Sequence, residues 1–163
     1  MNPKVIGFKE GSNKFVVLSD ENDLWMELLP QHYLENKFYK CTKAEGDCPI
    51  CVAYQRTKDR QFRPFISYLF PIINLENNEI CVLRAGDWFM RQMMDRQVQF
   101  REIEVIKEIG HRGFPEMRIA KVSRKKYKPI VKGDFNLINI RVSLTRDIDD
   151  PIYAIAAKAA LGT

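Results

Sequence analysis

A mainly β fold is what this chain predicts: a small OB-type barrel with an inserted metal loop, one mid-chain helix and a short C-terminal helix. Three observations carry that expectation. Short β-rich runs recur along the 163 residues, joined by turn chemistry. A single aromatic- and Met-rich helical stretch interrupts them after Gly86-Asp87. Three cysteines and one histidine crowd into residues 32–51, among the early strands.

The elements follow in order. Lys14 to Leu18 predicts a first strand, ended by the acidic loop Ser19 to Asp23. Leu24 to Leu29 reads as extended and stopped by Pro30. A metal loop from His32 to Cys51 follows, then a charged stretch, Val52 to Arg63, that starts as a short helix. Phe65 to Ile73 is β-rich and apolar, Asn77-Asn78 suits a hairpin turn, and Ile80 to Leu83 returns as a strand. Asp87 predicts an N-cap for a helix ending near Arg96, with Trp88, Phe89, Met90, Met93 and Met94 read as core. Val98 to Ile109 predicts a long strand whose alternation slips between Phe100 and Ile103, the mark of a bulge. Gly110 to Gly113 is a turn and Met117 to Val122 the returning strand. Phe135 to Leu144, with Leu137, Ile138 and Ile140 apolar, reads as one more strand. The tail from Asp150 reads as a short helix with Pro151 in its first turn. The whole is expected as one OB-like domain over 1–163, with a metal subdomain at 30–63 and a tail or helix at 145–163.

No run of eighteen apolar residues exists, so no membrane helix is predicted. Met1 to Gly7 lacks the apolar stretch of a signal peptide. Four cysteines, three of them bunched, suit a reducing cytoplasm and a metal better than two disulfides.

The cluster reads H-x8-C-x6-C-x2-C: His32, Cys41, Cys48 and Cys51. Cys48-Pro49-Ile50-Cys51 is a tight knuckle that aims two sulfurs at one point. Zn²⁺ takes four such ligands in a tetrahedron, and a filled tetrahedron leaves no position for substrate. The expected cofactor is therefore a structural Zn²⁺. Cys81, in the apolar run Ile80 to Leu83, reads as buried and unligated, and is the reserve ligand if His32 points away.

The net charge of +5 is unevenly spread. Residues 1–36 carry three basic and six acidic side chains, 37–63 seven and three, and 121–132 six and none. Two basic stretches interleaved with aromatics suit a polyanion, with phosphates on cations and bases stacked on rings. The candidate contacts are Tyr54, Arg56, Lys58, Arg60, Phe62, Arg63 and Tyr68, with Lys121, Arg124, Lys125, Lys126, Tyr127 and Lys128. Tyr54, Phe62 and Tyr127, flanked by charge, are expected to be exposed, and Phe70 to be core.

A catalytic reading has little support. If His32 holds metal, His111 is the one histidine left, in a Gly-flanked turn. No nucleophile elbow, zincin, Walker or dinucleotide fingerprint is present. A nuclease using Glu102, Glu104 and His111 is the enzymatic rival. A zinc-ribbon factor that contacts a polymerase, such as a viral transcription regulator, is the protein-binding rival.

The run Pro30-Gln31-His32-Tyr33, then Cys41, then Asp47-Cys48-Pro49-Ile50-Cys51, resembles the zinc subdomain of phage single-stranded DNA-binding proteins of the T-even helix-destabilising type. A strand from Tyr68 to Ile73, a hairpin to Ile80–Arg84 and an aromatic-led helix at Trp88 follow in the same order, so the likeness spans roughly 14–125. The resemblance implies an OB-fold with a zinc insertion. It also implies sequence-independent binding of single-stranded DNA in phage replication, recombination and repair, in the host cytoplasm, alongside replication or recombination proteins. It carries the metal role onto His32, Cys41, Cys48 and Cys51. The family's basic N-terminal arm is reduced here to Lys4, Lys9 and Lys14, its zinc loop is shorter, and an apolar Ala-rich segment stands where it has an acidic tail.

Overall fold

The computed structural model describes residues 3–96, 98–126 and 135–162. The chain divides into two compact units, 1–27 with 68–138, and 28–67 with 139–163.

The first unit is strand-rich. β1 (Val5–Ile6), β2 (Gly11–Val17), β5 (Phe65–Asn74, from Tyr68 onward), β6 (Glu79–Ala85), β7 (Arg101–Ile109) and β8 (Pro115–Lys126) line up in the order β1-β6-β5-β2-β7-β8. β1 runs parallel to β6 and the other pairs are antiparallel. Among the described residues this mixed sheet is open, with β1 and β8 as its margins, so the expected closed barrel is not what forms. The mainly β class holds, and the α-helices among the described residues number four.

Alternation along β2, β5 and β7 turns Phe15, Val17, Phe70, Ile72, Ile103 and Val105 into one core. Helix α2 (Asp87–Arg96) closes it with Phe89 and Met93. Phe70 and Phe89 meet edge to face at 5.1 Å. The helix shows its other side to water, so Met94 is 55% exposed and the expected Met and aromatic stripe is core on one side only. β7 begins at Arg101 rather than Val98, and its register slips between Arg101 and Ile103, where the broken alternation placed a bulge. The β7–β8 turn closes with Gly113 at φ +77°, a conformation a glycine takes without strain.

The stretch Phe135 to Leu144 is not a strand. It forms helix α3 (Leu137–Leu144). Its apolar residues alternate, but Leu137 and Ile140, three apart, are the buried pair, and Val142 is 67% exposed. The start is fixed by a remote residue: Asp20 accepts the Leu137 N–H on Oδ2 at 3.0 Å. The other oxygen of Asp20 accepts from Asn22 and Leu24 at 2.8 and 3.0 Å. A capping carboxylate distant in sequence thus overrides a local β pattern.

The second unit is built on a hairpin of β3 (Glu27–Leu34) and β4 (Lys37–Lys40). β3 passes through Pro30 instead of stopping there. Proline lacks only the donor, and its carbonyl still accepts from Cys41 N–H at 3.2 Å. Glu35 and Asn36, at φ 52° and 63°, make the two-residue turn. Helix α1 (Pro49–Thr57) follows, then a 3-10 turn at Arg60–Phe62, and finally α4 (Asp150–Leu161), capped by Asp149 on Ile152 N–H at 3.1 Å. Ile152 and Ala156 of α4 pack with Ile50 and Ala53 of α1, Leu34, Tyr39 and Phe62 in a small core that also holds the three clustered cysteines.

Candidate metal centre and basic surfaces

Each of the four predicted ligands is delivered by a different local device. His32 sits in β3 and its alternation turns it inward, opposite Tyr39 of β4. Cys41 follows the last residue of β4. Cys48 is the extended residue before α1, and Pro49 occupies the first helical position, where its missing N–H costs nothing. Cys51 lies in the first turn of α1. The predicted loop is therefore a hairpin and a helix start.

The four donor atoms lie within 4.8 Å of one another, and all four residues are buried. Cys48 and Cys51 Sγ stand 3.4 and 3.5 Å from His32 Nε2, and Cys41 Sγ stands 3.5 Å from Cys51 Sγ. A tetrahedron with Zn–S of about 2.3 Å and Zn–N of about 2.0 Å has edges of about 3.5 to 3.8 Å. These three separations are close to the edges of one such tetrahedron and are far too long for a disulfide. His32 Nδ1 lies 3.1 Å from the Phe62 carbonyl oxygen. Donation from Nδ1–H leaves the Nε2 lone pair facing the sulfurs, which is the arrangement metal-bound imidazoles need. Cys81 lies apart, in the core of the first unit, where burial pushes its thiol up to about 11.

The electrostatics distinguish the thiols. Burial by itself would raise Cys48, but the His32 side chain and the backbone N–H groups of Cys51 and Thr42 outweigh it and lower it to about 5. Burial raises Cys51 and Cys41, and neighbouring sulfur adds to the rise of Cys51. A thiol whose pKa is drawn down beside an imidazole, with two further sulfurs held close, is a donor set of soft and borderline character.

The predicted polyanion contacts fall in two places. In the second unit, Arg56, Lys58, Arg60 and Arg63 are exposed, and Tyr54 is half-buried with Lys58 Nζ 5.5 Å from its ring centre. Phe62 is not the exposed ring expected: it is 2% exposed, folded into the small core by the 3-10 turn that Asp59 caps. Tyr68 is also buried, its hydroxyl donating to Asp87 at 2.8 Å, with burial and then that carboxylate raising its pKa. In the first unit, Lys121, Arg124, Lys125 and Lys126 are exposed along β8. Tyr127 and Lys128 lie outside the described residues. Glu102, Glu104 and His111 are spread along β7 and into its turn, with Glu104 about 16 Å of strand short of Ile109.

Sequence reasoning missed three rings that face water. Tyr33 and Phe38 pair across the β3–β4 ladder with centres 4.9 Å apart, and Phe65 meets Phe38 at 6.3 Å. Their exposures are 47%, 37% and 37%. Tyr33 and Phe38 occupy the hairpin face opposite His32, and Phe65 reaches them from β5. The available signal was register: once His32 points inward, its neighbour Tyr33 points outward.

No protein-family model matches the chain, and no curated protein or solved structure matches it either. No helix among the described residues is long and apolar enough to cross a membrane.

Proposed function

We propose that this chain is a zinc-organised, sequence-independent single-stranded DNA-binding protein of the kind phages use in replication, recombination and repair. The observation that carries the reading is a division of labour on one hairpin. Its inner face supplies His32 to a closed Cys₃His cluster, and its outer face presents Tyr33, Phe38 and, with them, Phe65. Lys37, Arg56, Lys58, Arg60 and Arg63 are exposed on the same unit. Single-strand binders need cations for the backbone and rings for the bases, and neither demands a particular sequence.

Zn²⁺ is the ion of choice because a tetrahedral sulfur-rich site suits it, and full ligation by protein makes the role structural. His32, Cys41, Cys48 and Cys51 would hold it. The strand-rich unit is read as OB-like, supported by its largely antiparallel sheet and by the packing of α2 on its core. Replication or recombination proteins would be its partners.

An electrophoretic shift comparing oligo-dT, duplex and RNA tests the proposal. Affinity for oligo-dT should fall with salt by a log–log slope of about −0.7 per phosphate neutralised. A salt-insensitive or absent shift would count against it. The protein-binding alternative draws on Tyr153 and Leu161 of α4, which are 58% and 78% exposed. It predicts no shift with any nucleic acid.

A further inference from the structure

We propose that a cavity in the strand-rich unit holds one nucleotide of the bound strand, its phosphate on Arg101 and Lys126 and its base against Trp25. The inference rests on the single-strand reading and deepens it. The cavity has a volume of about 420 Å³, and its walls include Trp25, Met93, Met94, Phe100, Arg101 and Lys126. That volume is in the range of small-molecule sites.

Three features point to an anion. Arg101 and Lys126 stand directly opposite each other on the β7–β8 ladder, so their side chains share a face. Like charges in that position repel, and a bound anion between them would reverse the sign of the interaction. The Arg101 Nε is buried and has no hydrogen-bond partner among the described residues. A guanidinium offers its donors as a fork that matches phosphate oxygens. Exposed Arg124 and Lys125 continue the cationic track along β8.

The remaining walls point to a flat ring. Trp25 is half-buried, and its ring centre lies 6.1 Å from that of Phe70. Met93 and Met94 add polarizable thioethers that pack well against ring edges. Phe100 holds φ +62°, a costly conformation for an aromatic residue, and its N–H is tied to the Val17 carbonyl at 2.6 Å. Strain of that kind persists where surrounding structure enforces it, and it gathers at ligand sites. An acidic peptide would satisfy the cations but would leave the aromatic and thioether walls without use.

Trp25 and Trp88 are the two tryptophans of the chain, so the full-length, metal-loaded Trp88→Phe variant makes Trp25 the reporter. Oligo-dT should quench Trp25 emission. An abasic strand of the same length should bind through its phosphates and leave that emission largely unchanged. Arg101→Gln should weaken oligo-dT binding about tenfold, the scale of one lost charge-assisted contact, and reduce the quenching. If Arg101→Gln unfolds by circular dichroism, Lys126→Gln, at an exposed side chain, serves in its place. Quenching by the abasic strand or by polyglutamate as strong as by oligo-dT overturns the inference. So does tight oligo-dT binding that neither variant weakens, a result that leaves the single-strand reading standing. Failure of the unaltered chain to bind oligo-dT at all removes both.

Discussion

His32 and Phe62 are joined by a hydrogen bond from Nδ1 to the backbone carbonyl at 3.1 Å. This contact ties the 3-10 turn after α1 to the β3–β4 hairpin and sets which imidazole nitrogen faces the cysteines. The Cys₃His cluster and the fold of its unit are therefore one structure, and disruption of either weakens the other.

Cys48→Ser and His32→Gln should each abolish stoichiometric zinc, read by metal analysis of the purified chain. Structural zinc contributes on the order of 10 kcal/mol to domains of this kind, so the variants should also expose 28–67 to protease. Full zinc content in either variant would show that the four residues are not the ligand set.

The metal-free chain should show one thiolate titrating near pH 5 by ultraviolet absorbance, and Cys48→Ser should remove it. The sign follows from the lowered pKa of Cys48, about 5 against an ordinary thiol. The stability this thiolate contributes is present above the ordinary thiol pKa and is lost as pH falls through about 5. A first thiolate step no lower than pH 8 would refute the assignment.

Ile152→Ala should cost about 2–5 kcal/mol and speed zinc loss to a chromophoric chelator, because Ile152 fills the core beside the cysteines. Unchanged chelation kinetics in a destabilised variant would mean that α4 does not support the site.

Asp20→Ala should leave the N–H groups of Asn22, Leu24 and Leu137 without their acceptor, costing about 1–3 kcal/mol. Amide exchange at 137–140 should quicken before the β2 and β7 amides do. Uniform protection across α3 would sink the capping account.

Tyr33→Ala and Phe38→Ala should each weaken oligo-dT by up to about 1–3 kcal/mol, the worth of a stacked base, with the salt slope unchanged. Unchanged affinity, with the slope also unchanged, would place these rings away from the strand.

The sequence by itself determined whatever depends on near neighbours. The H-x8-C-x6-C-x2-C spacing chose four side chains that do meet, because a knuckle and a short hairpin leave few other ways to fold twenty residues. The slipped alternation marked the β7 bulge, and Pro151 in the first turn made the start of α4 legible. Tertiary structure alone decided the rest. Asp20 turned an alternating segment into α3 from 117 residues away. The small core took in Phe62, the core beneath α2 took in Tyr68, and Tyr33 and Phe38 were left outside. A residue's own chemistry says that it is aromatic or charged; which of its faces meets water depends on what distant chain arrives to cover the other.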